Sequence, residues 1–116
     1  MPLRLTVDRA AWHQHVSAQV SSYGDALIPV VKGSGHGLGR STLHSWLHQH
    51  LPGTMPAVGT IHEAPQGPAL VLTPVLHAPA RTDLVLTVGC REHVAALAGW
   101  SGSVVVKLQS SMRRYG

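Results

Sequence analysis

The chain contains two lysines, Lys32 and Lys107, and each stands at or near the carboxyl end of an apolar run that reads as a strand. In α/β proteins ligands gather at the carboxyl ends of the strands, where the following loops converge. A partly desolvated lysine there can lose its proton and act as an amine nucleophile, as Schiff-base chemistry requires. The plain alternative is a lysine whose stem leaves the sheet and carries its charge to water. Lys32 leads directly into Gly-Ser-Gly-His-Gly-Leu-Gly39, with four glycines in the eight residues from Lys32 to Gly39. A strand, glycine loop and helix in succession bring backbone N–H groups and a helix N-terminus close to a bound group, which suits a phosphate. The lysine precedes the glycines, so this is not the phosphate loop of nucleotide hydrolases. Gly33-x-Gly35 lacks the third glycine and the later acidic residue of a dinucleotide fingerprint, which excludes a Rossmann site. Ordinary turn glycines remain the alternative reading.

The nine histidines offer a second chemistry. His44 and His48 lie four residues apart on an expected helix, with His50 nearby, so two imidazoles could meet a metal on one face. The glutamate of the zinc-protease motif is missing between them, since the stretch reads His44-Ser-Trp-Leu-His48. Surface histidines are the preferred account of the pattern, and no metal site is assigned. His13 and His15 are two apart and diverge on a helix. Cys90 begins an expected helix, but it has no placed histidine partner and reads as an inert small residue. Trp12, Trp46 and Trp100 read as core or core-edge residues.

The elements that must position these groups follow from the apolar pattern. Leu3 to Val7 alternates as a half-buried strand does, and Asp8 offers an N-cap carboxylate. Trp12, Val16 and Val20 then form one stripe of a helix over residues 9–22, ended near Tyr23–Gly24. Ala26 to Val31 is apolar on both faces, as in a covered parallel strand, although Pro29 cannot donate to a ladder. Ser41 opens a second helix carrying Leu43, Trp46, Leu47 and Leu51 on one face, stopped by Pro52–Gly53. Strands are expected at Ala57 to Ile61, Ala69 to Thr73, Asp83 to Val88 and Ser103 to Leu108, with a third helix at Arg91 to Ala98 turning Val94, Leu97 and Ala98 inward. The order is that of an α/β protein. Only seven residues separate Ile61 from Ala69, two of them proline, which is short for a parallel crossover.

Leu, Val and Ile number 14, 14 and 2 of 116 residues, about 26%, above the roughly 20% below which disorder is expected. The length fits one small domain and cannot hold a complete (β/α)₈ barrel of about 250 residues. Ala69 to Ala80, the longest nearly uncharged apolar stretch, has two internal prolines and falls short of the roughly 18 residues of a membrane span. The single cysteine and the absence of a signal-peptide pattern lead to an expected cytoplasmic location. The net charge of +4 is spread over scattered arginines with few aromatics, so neither nucleic acid nor membrane is expected as a partner.

Two stretches resemble one family. Leu27-Ile-Pro-Val-Val-Lys-Gly-Ser-Gly-His-Gly-Leu-Gly39 is similar to the cofactor-lysine motif of the alanine racemases, in which Val-Lys is followed by a small residue, Asn or Asp, a small residue, Tyr and Gly-x-Gly. Val105-Val-Lys-Leu-Gln-Ser-Ser-Met-Arg-Arg-Tyr-Gly116 resembles that family's later Lys-x-Asp-Thr-Gly-Met-x-Arg-x-Gly strand. Ala57-Val-Gly-Thr, Leu70-Val-Leu-Thr-Pro and Val88-Gly-Cys-Arg-Glu-His-Val-Ala-Ala-Leu fall where the intervening strands and a helix belong.

The resemblance implies a partial (β/α) barrel, roughly its first five strands as a parallel sheet with flanking helices, over residues 1–116. It implies a pyridoxal-phosphate-dependent amino-acid racemase, an isomerase whose small-molecule substrate is an amino acid, alanine being the family default, and homodimeric as the family is. Lys32 would hold the cofactor as an internal aldimine and serve as one base. Arg114 falls on the arginine that donates to the cofactor's phenolic oxygen, and Lys107 on the lysine that steadies that arginine. His36 takes the place of the tyrosine that helps hold the phosphate, Ser34 that of Asn or Asp, and Gln109-Ser110-Ser111 that of Asp-Thr-Gly. The family's remaining strands and its opposing tyrosine base have no counterpart, since Tyr23 and Tyr115 match neither. The expectation is therefore an N-terminal portion that does not turn over alone, or a non-catalytic cofactor-binding or subunit-interaction remnant.

Overall fold

The computed structural model describes residues 2–114. Asp8 caps the first helix, its carboxylate accepting the Ala11 N–H at 3.0 Å, and α1 runs Arg9–Tyr23. A 3₁₀ turn at Gly24–Ala26 and the glycine loop lead to α2, Arg40–His50. Four short strands follow: β1 Ala57–Val58, β2 Leu70–Val71, β3 Val85–Val88 and β4 Ser103–Val106, with α3, Arg91–Ala96, between the last two. Every pairing is parallel and the sheet order is β1-β2-β3-β4, so strands adjacent in sequence are adjacent in space. A parallel bridge from Val30 to Ala57 adds a fifth segment on the outside of β1. The fold is α/β with a parallel sheet and helices.

Pleating sends alternate residues to opposite faces. One face buries Val58, Val71, Leu86 and Val88, with Ala69 and Leu84 just before their strands, under Leu97 of the turn after α3. Ile61, Ala64, Val75 and Trp100 close its rim. The opposite face carries Ala57, Gly59, Leu70, Leu72, Val85, Thr87 and Val105, and it is only half covered. Thr87 is buried there and satisfies its hydroxyl by donating to the Val71 carbonyl at 2.7 Å.

Two crossovers lack helices because prolines occupy them: Pro65 and Pro68 between β1 and β2, Pro74 and Pro79 between β2 and β3. Side chains hold these stretches instead. Thr60 and Glu63 form a capping box around the 3₁₀ turn Ile61–Glu63. The Arg81 guanidinium donates to the Pro65 carbonyl at 2.8 Å and the Gly67 carbonyl at 2.9 Å while pairing with Asp83. The Trp100 indole N–H donates to the Arg81 carbonyl at 3.0 Å.

Several expected elements differ. Residues 3–7 form no strand: Leu3 and Leu5 are exposed and no neighbour strand pairs with them, so their alternation has no face to bury. The expected strand Ala26 to Val31 is reduced to the bridge at Val30, and Ala26 belongs to the 3₁₀ turn. Pro29 does not break that bridge, because its carbonyl accepts from Ala57 N–H at 2.8 Å and Val31 N–H donates to Ala57 at 2.7 Å. Of the residues expected to turn inward from the third helix, only Leu97, in the turn after α3, is buried, while Val94 and Ala98 are exposed. Tyr115 lies outside the described residues.

Gly35 is required where it stands. Its φ is +68°, and a Cβ there would lie 2.6 Å from the Gly39 carbonyl carbon. Gly37, with φ +88°, has open space around it. Gly35→Ala is expected to cost about 2 kcal/mol or more, and Gly37→Ala about 1 kcal/mol, in urea unfolding midpoints followed by circular dichroism.

Candidate functional site

Lys32 follows buried Val31 at the carboxyl end of the segment beside β1. Extending the Val30–Ala57 register puts Lys32 level with Gly59, on the half-covered face that also carries Thr87. The side chain is exposed. Lys107 continues β4, its N–H donating to the Val88 carbonyl at 2.8 Å, and by register it shares the same face. Four strand spacings of about 4.8 Å set the two lysines roughly 19 Å apart along a flat sheet. Curling the sheet toward this face shortens that gap.

The glycine loop is closed on itself. Gly35 N–H donates to the Lys32 carbonyl at 3.0 Å and Gly39 N–H to the Ser34 carbonyl at 2.8 Å. His36 takes a left-handed φ of +55°, which swings its Nε2 back to donate to the Val30 carbonyl at 3.3 Å. That carbonyl points away from β1, so the imidazole covers the outer edge of the sheet. Lys32 and His36 stand in the same loop, with the imidazole turned to the Val30 carbonyl. Arg114 lies exposed in the segment after β4, beyond a turn closed by Arg113 N–H to Ser110 at 2.9 Å, with no hydrogen bond or ion pair to Lys32.

Glu63 joins this site from the next crossover. One carboxylate oxygen accepts the N–H of Gly33, the residue after Lys32, and the other accepts the Thr60 N–H at 2.5 Å. Burial alone pushes the Glu63 pKa up, but the Gly33 and Thr60 N–H groups, the Thr60 hydroxyl and the Arg40 charge outweigh it and hold the carboxyl below its usual range. Gly59 makes room: a Cβ there would meet Glu63 Oε2 at 2.7 Å and the Lys32 Cβ at 3.4 Å. The pattern Thr60-x-x-Glu63 is legible in sequence as a capping box; its reach to Gly33 needs the parallel sheet and has no local signal.

An open groove of about 1130 Å³ lies elsewhere, between α1 and α2, lined by Leu5, Val7, Trp12, His13, Trp46 and His50. The Trp46 indole donates to His13 Nδ1 at 3.1 Å, and the His13 and His50 rings stand 4.5 Å apart. Because His13 accepts on Nδ1, its proton sits on Nε2, so the ring presents no free lone pair to a metal. His48 is exposed and His44 half-buried, and among the described residues no group of three His, Cys, Asp or Glu is placed to hold a metal. Cys90 is exposed at the start of α3. No helix of the described residues is long and apolar enough to cross a membrane.

Comparison with known proteins returns no match: no family model fits the chain, and no curated protein or solved structure is significantly similar to it.

Burial of the His44 ring, and then the Arg40 charge, lower its pKa from 6.5. The unfolded ring therefore takes its proton at higher pH than the folded one, so stability is full above 6.5 and declines as pH falls through that value. Urea midpoints measured across this interval should drop with acidification, and His44→Leu should flatten that slope; an equal slope in the variant would assign it to other groups.

Proposed function

We propose that this chain is the first part of a (β/α) barrel of the alanine racemase type, carrying pyridoxal phosphate on Lys32 and acting on an amino acid once the rest of the barrel is supplied. The observation that carries the reading is the place of Lys32: the carboxyl end of the first of five parallel segments that follow one another in sequence order, on the sheet's half-covered face. Sequential order supports a singly wound barrel, because a doubly wound sheet reverses its order and opens its crevice at the switch. In a barrel the half-covered face becomes the interior, and Lys32 and Lys107 both belong to it.

The local residues fit the aldehyde end of the cofactor. Lys32 supplies the amine, and Gly59, without a Cβ, leaves the space beside it that a side chain would fill. They do not by themselves fit the phosphate end, since the Gly33 N–H is taken by Glu63 and His36 Nε2 by Val30. Bound there, pyridoxal phosphate supplies an electron sink that acidifies the α-hydrogen of an amino acid. In such a site the Lys32 amine is suited to move a proton at its Nζ. Lys107 and Arg114 belong to the far side of the same face in this reading, Arg114 toward the cofactor ring and Lys107 toward Arg114. Cytoplasmic location and a homodimer complete the proposal.

A second reading, a subunit-interaction remnant, is favoured by β4. All four of its residues are exposed, with Val106 72% and Val104 47% accessible, and its outer edge offers unpaired backbone groups to another strand.

The test mixes the purified chain with pyridoxal phosphate, records the visible absorbance, reduces with borohydride and maps the adduct by mass spectrometry. A single adduct at Lys32, lost in Lys32→Ala, is the expected result. No adduct, or equal labelling of Lys32 and Lys107, overturns the cofactor reading in favour of the interaction remnant.

A further inference from the structure

The geometry points to Glu63 as the positioning residue for Lys32: its carboxylate ties the carboxyl end of the Lys32 segment to the carboxyl end of β1, and so fixes where the lysine stem leaves the sheet. As a role toward the cofactor it rests on the reading of Lys32 given above; as an anchor it stands on contacts of its own.

Glu63 does more than cap its own turn. In a capping box the glutamate returns to one N–H, that of the N-cap residue, and here that bond is made to Thr60 with one carboxylate oxygen. The second oxygen crosses to the Gly33 N–H, thirty residues away in sequence. Gly33 directly follows Lys32 and Thr60 directly follows Gly59, and Lys32 and Gly59 are level across the two segments. One ionised side chain therefore closes the gap where the backbone ladder between these segments ends.

Three further features agree with this role. The lysine segment has only one bridge to the sheet, at Val30, so the ladder alone holds Lys32 weakly. The next residues turn away at once through Gly33, whose φ is +59°, and the loop's other hydrogen bonds, Gly35 to Lys32 and His36 to Val30, stay within the lysine segment and do not reach β1. The residue opposite Lys32 is glycine, and any larger residue would collide with the carboxylate. Charge-assisted bonds from backbone N–H to carboxylate are about twice as strong as neutral ones, which suits a carboxylate to holding a reactive side chain in one orientation.

The experiment uses the full chain and the variants Glu63→Ala, Glu63→Gln and Gly59→Ala, the last displacing the carboxylate without removing its charge. Amide hydrogen exchange by ¹⁵N NMR reads the anchor directly, without any cofactor. Gly33 and Thr60 should exchange about tenfold or more faster in Glu63→Ala, and Glu63→Gln, whose amide has a single acceptor oxygen, should deprotect one of the two. Borohydride trapping with pyridoxal phosphate as the probe then reads the effect on the lysine. The ratio of Lys32 to Lys107 labelling should fall about tenfold or more in Glu63→Ala and Gly59→Ala, with Lys107 labelling unchanged. Should Glu63→Ala fail to fold, Glu63→Gln and Gly59→Ala carry the same comparison. Unchanged Gly33 protection, or an unchanged labelling ratio in folded variants, overturns the proposal. If Gly33 and Thr60 lose protection as expected while the wild type fails to label Lys32, the anchor stands and the cofactor assignment of Lys32 falls.

Discussion

The structure depends on one buried sheet face. Val58, Val71, Leu84 and Leu86 are almost wholly removed from water, and each such side chain contributes about 1.5–3 kcal/mol relative to exposure. Parallel pairing aligns them into a row that Leu97 and Trp100 can cover, and that row sets the register of the strands. Register then decides everything on the other face. Because the pleat alternates, burying Val31 and Val58 on one side turns Lys32 and Gly59 to the other. A slip of one residue would bury the lysine and expose the valines, so the position of the amine follows from the core.

The sheet has two unlike edges. Beside Val30 the outward carbonyl is taken by His36, so the loop that follows the lysine also protects its edge. At β4 nothing covers Val104 or Val106, and α3, with six residues, reaches no further than the core through Leu97. A covered edge at the first segment and an open one at the last describe a sheet able to grow in one direction.

The helices were legible in the sequence because local signals bound them. Asp8 and Gly24 delimit α1, and Gly39 and Pro52 frame α2, so the expected ranges match Arg9–Tyr23 and Arg40–His50 to within one residue at each end. The chain order of the later strands was legible too, since runs such as Leu84 to Val88 are largely apolar, whereas the strand expected before Lys32 survives only as the bridge at Val30. Strand lengths were not, because Pro68 and Pro74 stop the ladder in ways apolarity does not report. Leu3 to Val7 misled for a related reason: alternation marks a face that can be buried, and burial needs a neighbour. Within the site, the glycine loop and both lysines were visible, whereas the joining of Glu63 to Gly33 and of His13 to Trp46 and His50 depends on residues about thirty or more positions apart.

The core orients the sheet, the orientation exposes Lys32 beside Gly59, and Glu63 fastens the two segments where the lysine emerges. A crystal structure of the chain grown with pyridoxal phosphate tests this most directly. The account predicts continuous density from Lys32 Nζ on the face that carries Gly59 and Thr87, with Glu63 still bound to Gly33 N–H. Density on Lys107 alone, or in the groove between α1 and α2, or Lys32 on the face of Val58 and Leu86, would contradict it.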